Sequence, residues 1–143
     1  MSRNNHFTIK QDVRFRDLDA LGHVNNATYF TYMEEARKVF FGDILNATSP
    51  DDFPFILAGI SCNFIKPVQL EEKTLEVDLW ITHLGRKSFT FKHAIYRTKD
   101  PEWIFATGES VQVYFDHQNH KSIEIPETFK LKIADYVSSI DKV

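Results

Sequence analysis

From His6 to Phe15, apolar residues at Phe7, Ile9, Val13 and Phe15 alternate imperfectly with polar ones, the period-two pattern of a strand with one buried face. From Ala27 the period lengthens. Tyr29, Met33, Ala36 and Phe40 recur at spacings of four, three and four, with Tyr32 and Val39 beside them. That stripe predicts an amphipathic helix of about four turns, ended by Gly42. Glu34, Glu35, Arg37 and Lys38 occupy much of the other side and read as solvated charges.

The stretch from Asn46 to Pro54 is rich in Asn, Thr, Ser, Asp and Pro, so it reads as a loop. Extended segments follow at Phe55 to Ile65, Leu70 to Leu84, Lys87 to Arg97 and Trp103 to Phe115, separated by Lys66-Pro67, Leu84-Gly85-Arg86 and Lys99-Asp-Pro-Glu102. Leu75, Val77, Leu79 and Ile81 alternate cleanly, as do Phe89, Phe91, His93 and Ile95, which marks half-buried antiparallel strands. Beyond Pro126, Phe129, Ile133, Tyr136 and Val137 predict a shorter amphipathic helix over Glu127 to Ile140. The order of strand, long helix, four strands and terminal helix predicts an α+β fold in which an antiparallel sheet wraps the long helix.

Composition narrows the class. At 143 residues, with no Gly/Pro-rich linker, one domain over residues 1–143 is expected, and 43% hydrophobic with 26% charged residues excludes intrinsic disorder. Thirteen Phe suggest a large aromatic interior or a subunit interface. A net charge of -3 with no basic cluster argues against nucleic acid as a partner. Cys62 is the only cysteine and sits among apolar neighbours, so it reads as a buried structural thiol. The polar start Met-Ser-Arg-Asn-Asn-His is no signal peptide and no run reaches membrane-spanning length, so a cytoplasmic protein that does not bind membranes is expected. Of the six histidines only His117 and His120 lie close together, and with Asp116 they read as a polar turn rather than a metal set. No glycine-rich phosphate loop or Gly-x-Ser-x-Gly elbow occurs, and no metal or cofactor is expected.

The chemistry concentrates immediately before the long helix. Arg16-Asp-Leu-Asp-Ala-Leu-Gly-His-Val-Asn-Asn-Ala-Thr-Tyr29 packs two carboxylates, an imidazole, a glycine and two amides into one helix N-terminus. Asp19, Asn25 and Asn26 suit helix capping, and amides free in the first turn can stabilise a developing oxyanion.

The string Asp17-Leu-Asp-Ala-Leu-Gly-His-Val-Asn-Asn-Ala-Thr-Tyr29, followed by Glu34-Glu-Ala-Arg37, resembles the signature of the hot-dog-fold acyl thioesterases. It is most similar to the 4-hydroxybenzoyl-CoA thioesterase-like group, with a further likeness to acyl-carrier-protein thioesterases. The resemblance implies hydrolysis of an acyl-CoA, or of an acyl-carrier-protein thioester, with Asp19 as nucleophile or as base for water. It implies an oxyanion site in the amides from Val24 to Asn26, after Gly22. His23 matches a catalytic histidine of the acyl-carrier-protein enzymes. Leu21 stands where those enzymes carry the partner Asn, so the resemblance implies for His23 the orientation of water or Asp19. Asn25 and Asn26 would cap the helix, bridge subunits or touch the acyl-thioester arm. Asp17 is the rival carboxylate, expected to hold Arg14, Arg16 or the loop backbone.

Family members place the site at a subunit interface, which implies a homodimer or homotetramer. Lys66 and the turn Arg86-Lys87-Ser88 are the candidates for CoA phosphates. Ser88 is also placed to donate to the pantetheine or the reacting carbonyl. Tyr29, Phe30, Tyr32, Met33, Phe55, Ile60 and Phe64 are the candidate walls of an acyl pocket. The alternative is a non-hydrolytic hot-dog protein, either an acyl-thioester-binding module or a hydratase/dehydratase.

Overall fold

A computed structural model describes residues 4–49 and 52–138. The elements in chain order are β1 (Phe7–Asp12), α1 (Asn26–Leu45), β2 (Phe55–Phe64), β3 (Thr74–Leu84), β4 (Ser88–Arg97), β5 (Asp100–Asp116), β6 (Lys121–Ser122) and α2 (Glu127–Ile133). The sheet is antiparallel in the order β1-β3-β4-β5-β2, with β6 pairing β5, so β2 lies at an edge. This is the expected α+β arrangement.

The helix buries Tyr29, Tyr32, Met33, Ala36, Arg37, Phe40 and Phe41, a stripe stepping by three and one. It packs on the sheet face built from Leu75, Val77, Leu79 and Ile81 of β3 and from Phe89, Phe91 and Ile95 of β4. Phe41 stacks on Phe55 with ring centroids 4.5 Å apart, and Phe40 meets Phe91 edge-on at 5.4 Å. Phe129 of α2 closes the same cluster against Phe55 and Phe89. Much of the chain's phenylalanine therefore forms one aromatic layer under α1.

Several boundaries move. Gly42 does not end α1; the helix runs to Leu45, and Asn46 takes the left-handed C-cap at φ 53. Ile44 and Leu45, beyond the glycine, pack against the core, so tertiary contact overrides it. β1 stops at Asp12, and Phe15, 81% exposed, lies in a 3-10 turn with Asp17. Leu70–Glu72 forms another such turn before β3, while β5 begins at Asp100, ahead of Trp103. The terminal helix ends at Ile133 and passes into a 3-10 turn over Ala134–Tyr136; its expected end at Ile140 lies outside the described residues. Asp116 accepts the Gln118 and Asn119 amides, so His117 and His120 do sit in a polar turn.

Candidate active site

The loop leading into α1 is closed by its own main chain. Asp19 N–H donates to His23 C=O at 2.7 Å, and Gly22 N–H donates back to Asp19 C=O at 3.1 Å. Gly22 turns there at φ 79, a left-handed conformation that costs glycine little. The Asp19 carboxylate sits over this turn: Oδ1 accepts Leu21 N–H at 2.9 Å and His23 N–H at 3.2 Å. Oδ2 accepts nothing from the described residues. Asp19 is thus held firmly by one oxygen and presents the other.

Asn25 is the N-cap of α1. Its Oδ1 accepts Ala27 N–H at 2.9 Å, and its carbonyl accepts Thr28 N–H at 2.9 Å. The expected oxyanion stretch from Val24 to Asn26 is narrower than the sequence suggested. Val24 N–H already donates to Val68 C=O and Asn25 N–H to Asp17 C=O, each at 2.8 Å, because the loop is stitched to its neighbours at these points. Asn26, the first helical residue and exposed, has an N–H with no partner among the described residues. It points along the positive end of a twenty-residue helix.

The rival carboxylate has a different job. Asp17 is buried; Tyr32 OH donates to Oδ2 at 2.7 Å, the Arg14 amide does so at 3.0 Å, and Arg14 Nη2 reaches Oδ1 at 3.2 Å. Burial opposes its charge, yet the Tyr32 hydroxyl and the Arg14 amide and guanidinium hold the carboxyl below the usual range. Burial, and then Asp17, push the Tyr32 phenol up. With its oxygens taken, Asp17 braces the loop against α1, as expected for its Arg14 partner.

His23 contributes through its main chain, which bonds Asp19 on both sides and bridges to Gln69; its half-buried ring has no bonded partner among the described residues. Leu21 is 79% exposed beside it. Tyr29 is buried against Phe64, ring centroids 5.1 Å apart. Burial chiefly raises its phenol against a lowering hydrogen bond to the Val68 backbone, and the Asp19 charge adds to the rise, which puts Tyr29 within electrostatic reach of Asp19. Cys62 is a protonated packing thiol: burial pushes it up to about 11. Of the candidate acyl walls, Tyr32 and Met33 are fully enclosed in the core.

Lys66 flanks this site. Two residues on, Val68 takes the Val24 amide, and Lys66 Nζ lies 4.4 Å from the centre of the Trp103 ring. Arg97, 4.2 Å from the same ring and paired to Glu72 at 2.8 Å, joins it. Arg97 and Trp103 carried no signal in the sequence, because turn-side cations look alike until strands bring them together. Arg86, Lys87 and Ser88 are elsewhere. They precede and open β4, whose other end is Arg97; Arg86 C=O accepts Ile125 N–H and its guanidinium lies 3.5 Å from Glu124. The strand is ten residues long, which sets its two ends about 30 Å apart. One chain therefore does not bring this turn to Asp19. Arg37 is the other correction: expected on the solvated side, it is only 7% exposed, since it follows Met33 by four and precedes Phe41 by four.

Residues 13–133 match the model of the thioesterase-like superfamily. The chain belongs to this superfamily. A thioesterase from Thermus thermophilus, solved with coenzyme A and zinc, is 32% identical and superposes at a TM-score of 0.75 over 88% of this chain and 95% of that one. A 1,4-dihydroxy-2-naphthoyl-CoA thioesterase from Synechocystis shares the fold at a TM-score of 0.80, over 91% of this chain and 96% of that one, with 20% identity. The chloroplastic acyl-acyl carrier protein thioesterase ATL3 of Arabidopsis thaliana is 22% identical over 138 residues, covering 94% of this chain and 71% of that protein. The thioesterase-like chain thus has the hot-dog fold: a long helix wrapped by a curled antiparallel sheet. No described helix is long and apolar enough to cross a membrane, and no group of three His, Cys, Asp or Glu among the described residues is placed to hold a metal ion.

Proposed function

We propose that this thioesterase-like protein hydrolyses an acyl-CoA to the free acid and CoA at the N-terminus of α1. The observation that carries the reading is the Asp19 carboxylate, fixed through Oδ1 by two loop amides while Oδ2 accepts nothing from the described residues, in the same loop that ends at the free Asn26 N–H. As base, Oδ2 takes a proton from water as the water oxygen adds to the thioester carbonyl carbon. The carbonyl oxygen becomes an oxyanion, which Asn26 N–H and the helix N-terminus stabilise. When the intermediate collapses, the C–S bond breaks, the sulfur leaves with its electron pair and is protonated, and the acid remains. As nucleophile, Oδ2 adds to the carbon itself, the C–S bond breaks and CoA leaves as the thiolate, which is then protonated, and water cleaves the resulting mixed anhydride to the free acid and the Asp19 carboxylate. His23 orients the water or Asp19, and Gly22, Val24 and Asn25 hold the loop in shape. Tyr29 walls the acyl side.

Lys66, on the same flank, takes a CoA phosphate. Arg86, Lys87 and Ser88 serve only from a second subunit, which fits an interfacial site in a homo-oligomer. The coenzyme A in the Thermus relative supports CoA as the carrier, while the Arabidopsis likeness keeps an acyl-carrier-protein thioester in the substrate panel.

Thiol release across short, medium, long and aryl acyl-CoAs, with an acyl-carrier-protein substrate alongside, tests this. Asp19→Asn and Asp19→Ala are expected to lower kcat by about a hundredfold or more with KM little changed. A variant as fast as the parent overturns the assignment. Hydration of an enoyl-CoA without thiol release would instead mark the non-hydrolytic alternative.

A further inference from the structure

Beneath the second half of α1 lies a cavity of about 360 Å³ with Phe41, Phe53, Phe55 and Leu57 among its walls and Arg37 and Gln112 in its lining. That volume is in the range that holds a small ligand. It is remote from the helix N-terminus: Arg37 is twelve residues beyond the Asn25 cap, about 18 Å along the axis. Of the candidate acyl walls only Phe55 borders it, and no catalytic step of the hydrolytic reading uses it.

Its polar groups are unusual for an apolar pocket, which opens to the surface beside the exposed Ile56 and Leu57. Arg37 Nη1 is buried and bonds to none of the described residues, and Gln112, 3% exposed, leaves Oε1 unbonded. Gln112 Nε2 donates to Ser110 Oγ at 3.0 Å, and Ser110 Oγ is also 3.0 Å from His93 Nε2. When His93 carries its proton on Nε2 and donates to Ser110 Oγ, the serine hydroxyl is free to donate to Gln112 Oε1, so the turned-over amide keeps its Ser110 bond and presents N–H groups to the cavity. The floor then offers a guanidinium and an amide donor together. Glu34 and Lys38 also line the cavity; the exposed Glu34 favours the Arg37 charge from a distance but forms no ion pair with it among the described residues.

A buried guanidinium whose Nη1 has no bonded acceptor and whose nearest opposite charge lies out at the surface is costly, and water satisfies its hydrogen bonds without neutralising it. A carboxylate does both, since its two oxygens match the guanidinium fork. The aromatic and aliphatic walls require that the carboxylate be attached to an apolar body, which disfavours a small inorganic anion. We propose that this cavity binds the carboxylate end of an apolar chain, with Arg37 as its charged partner and Gln112 as a second donor. Such a carboxylate has two sources: a free carboxylic acid, or the far end of the acyl chain of a thioester.

The test titrates the full chain with linear acids from butyric to dodecanoic and with aryl acids, each against its methyl ester, by calorimetry. At least one acid is expected to bind about tenfold or more tightly than its ester. Arg37→Met and, separately, the cavity-filling Leu57→Trp are expected to remove that preference. Arg37→Met without ligand is also expected to raise Tm, because an unpaired buried charge has gone. Acids that bind no better than their esters, or binding indifferent to both variants, overturn the site. A lower Tm with a loss of self-association in Arg37→Met also overturns it, since a second copy's carboxylate would then be the partner. These arms need no catalysis, so they stand apart from the failure of the hydrolytic reading. One further arm rests on that reading and separates the two sources. A lower KM for an acyl-CoA ending in a carboxylate than for the plain chain, abolished by Arg37→Met, assigns the carboxylate to the thioester, and equal KM values assign it to a free acid.

Discussion

At the scale of single residues, two carboxylates two positions apart have opposite fates, and the cause is what reaches their oxygens. Asp17 is enclosed by Arg14 and Tyr32, whereas Asp19 keeps Oδ2 open. Spacing alone cannot separate such a pair, because the difference lies in a tyrosine fifteen residues away on another element. His93 shows the same principle in the core. It is 1% exposed, and burial, with the Arg37 charge nearby, pushes its imidazole down to about 3 from an ordinary 6.5. The folded state therefore binds fewer protons than the unfolded chain between those values. The stability this gives is fully present above pH 6.5 and is lost as pH falls toward 3. At pH 5 the parent is expected to have lost about 2 kcal/mol from this group alone. Denaturant unfolding at pH 7 and pH 5 checks it: His93→Gln should flatten the difference, and an unchanged slope would show that another group titrates.

At the scale of elements, the N-terminal loop and α1 act as one unit. Gly22 is the pivot, since its positive φ lets the chain return from Asp19 to His23. Gly22→Ala meets no atom within 4 Å, so its cost is conformational, about 1 kcal/mol. Relaxation of that strain would move the amides that hold Asp19 Oδ1, so kcat is expected to fall several-fold while Tm drops modestly. A variant with lower Tm and unchanged kcat would show that the turn does not position Asp19. The order and type of the elements were legible because their periods differ: threes and fours in α1, twos in β3 and β4. The candidate site was legible only as far as residues adjacent in sequence make it, from Asp19 to Asn26. Arg37 was not, since a charge beside Glu34 and Lys38 looks solvated until the stripe from Met33 to Phe41 is wrapped by a sheet. The Lys66, Arg97 and Trp103 cluster was hidden for a related reason: it is assembled across strands rather than along one.

At the scale of the whole molecule, β2 poses the open question. It is an edge strand of ten residues that among the described residues pairs only to β5, with a bulge between Leu57 and Gly59, and it leaves Ile56, Leu57 and Phe64 exposed, with Ile65 just beyond. An exposed apolar edge of that length normally pairs or is blocked by charge, and here Phe55–Phe64 contains no charged residue. A second copy pairing along β2 would cover the row. A partner is also the route by which Arg86, Lys87 and Ser88 could approach a site that their own chain holds at a distance. Like charges set on such an edge oppose one another across an antiparallel pair of identical strands. Ser61→Lys combined with Asn63→Lys changes two exposed positions two residues apart on this strand. In light scattering the parent is expected to have at least twice the monomer mass and the double variant to be a monomer. If the second copy completes the site, thiol release falls with dissociation and returns as the variant is concentrated. A parent that is a fully active monomer would end the interfacial reading and leave CoA binding to Lys66 and its neighbours alone.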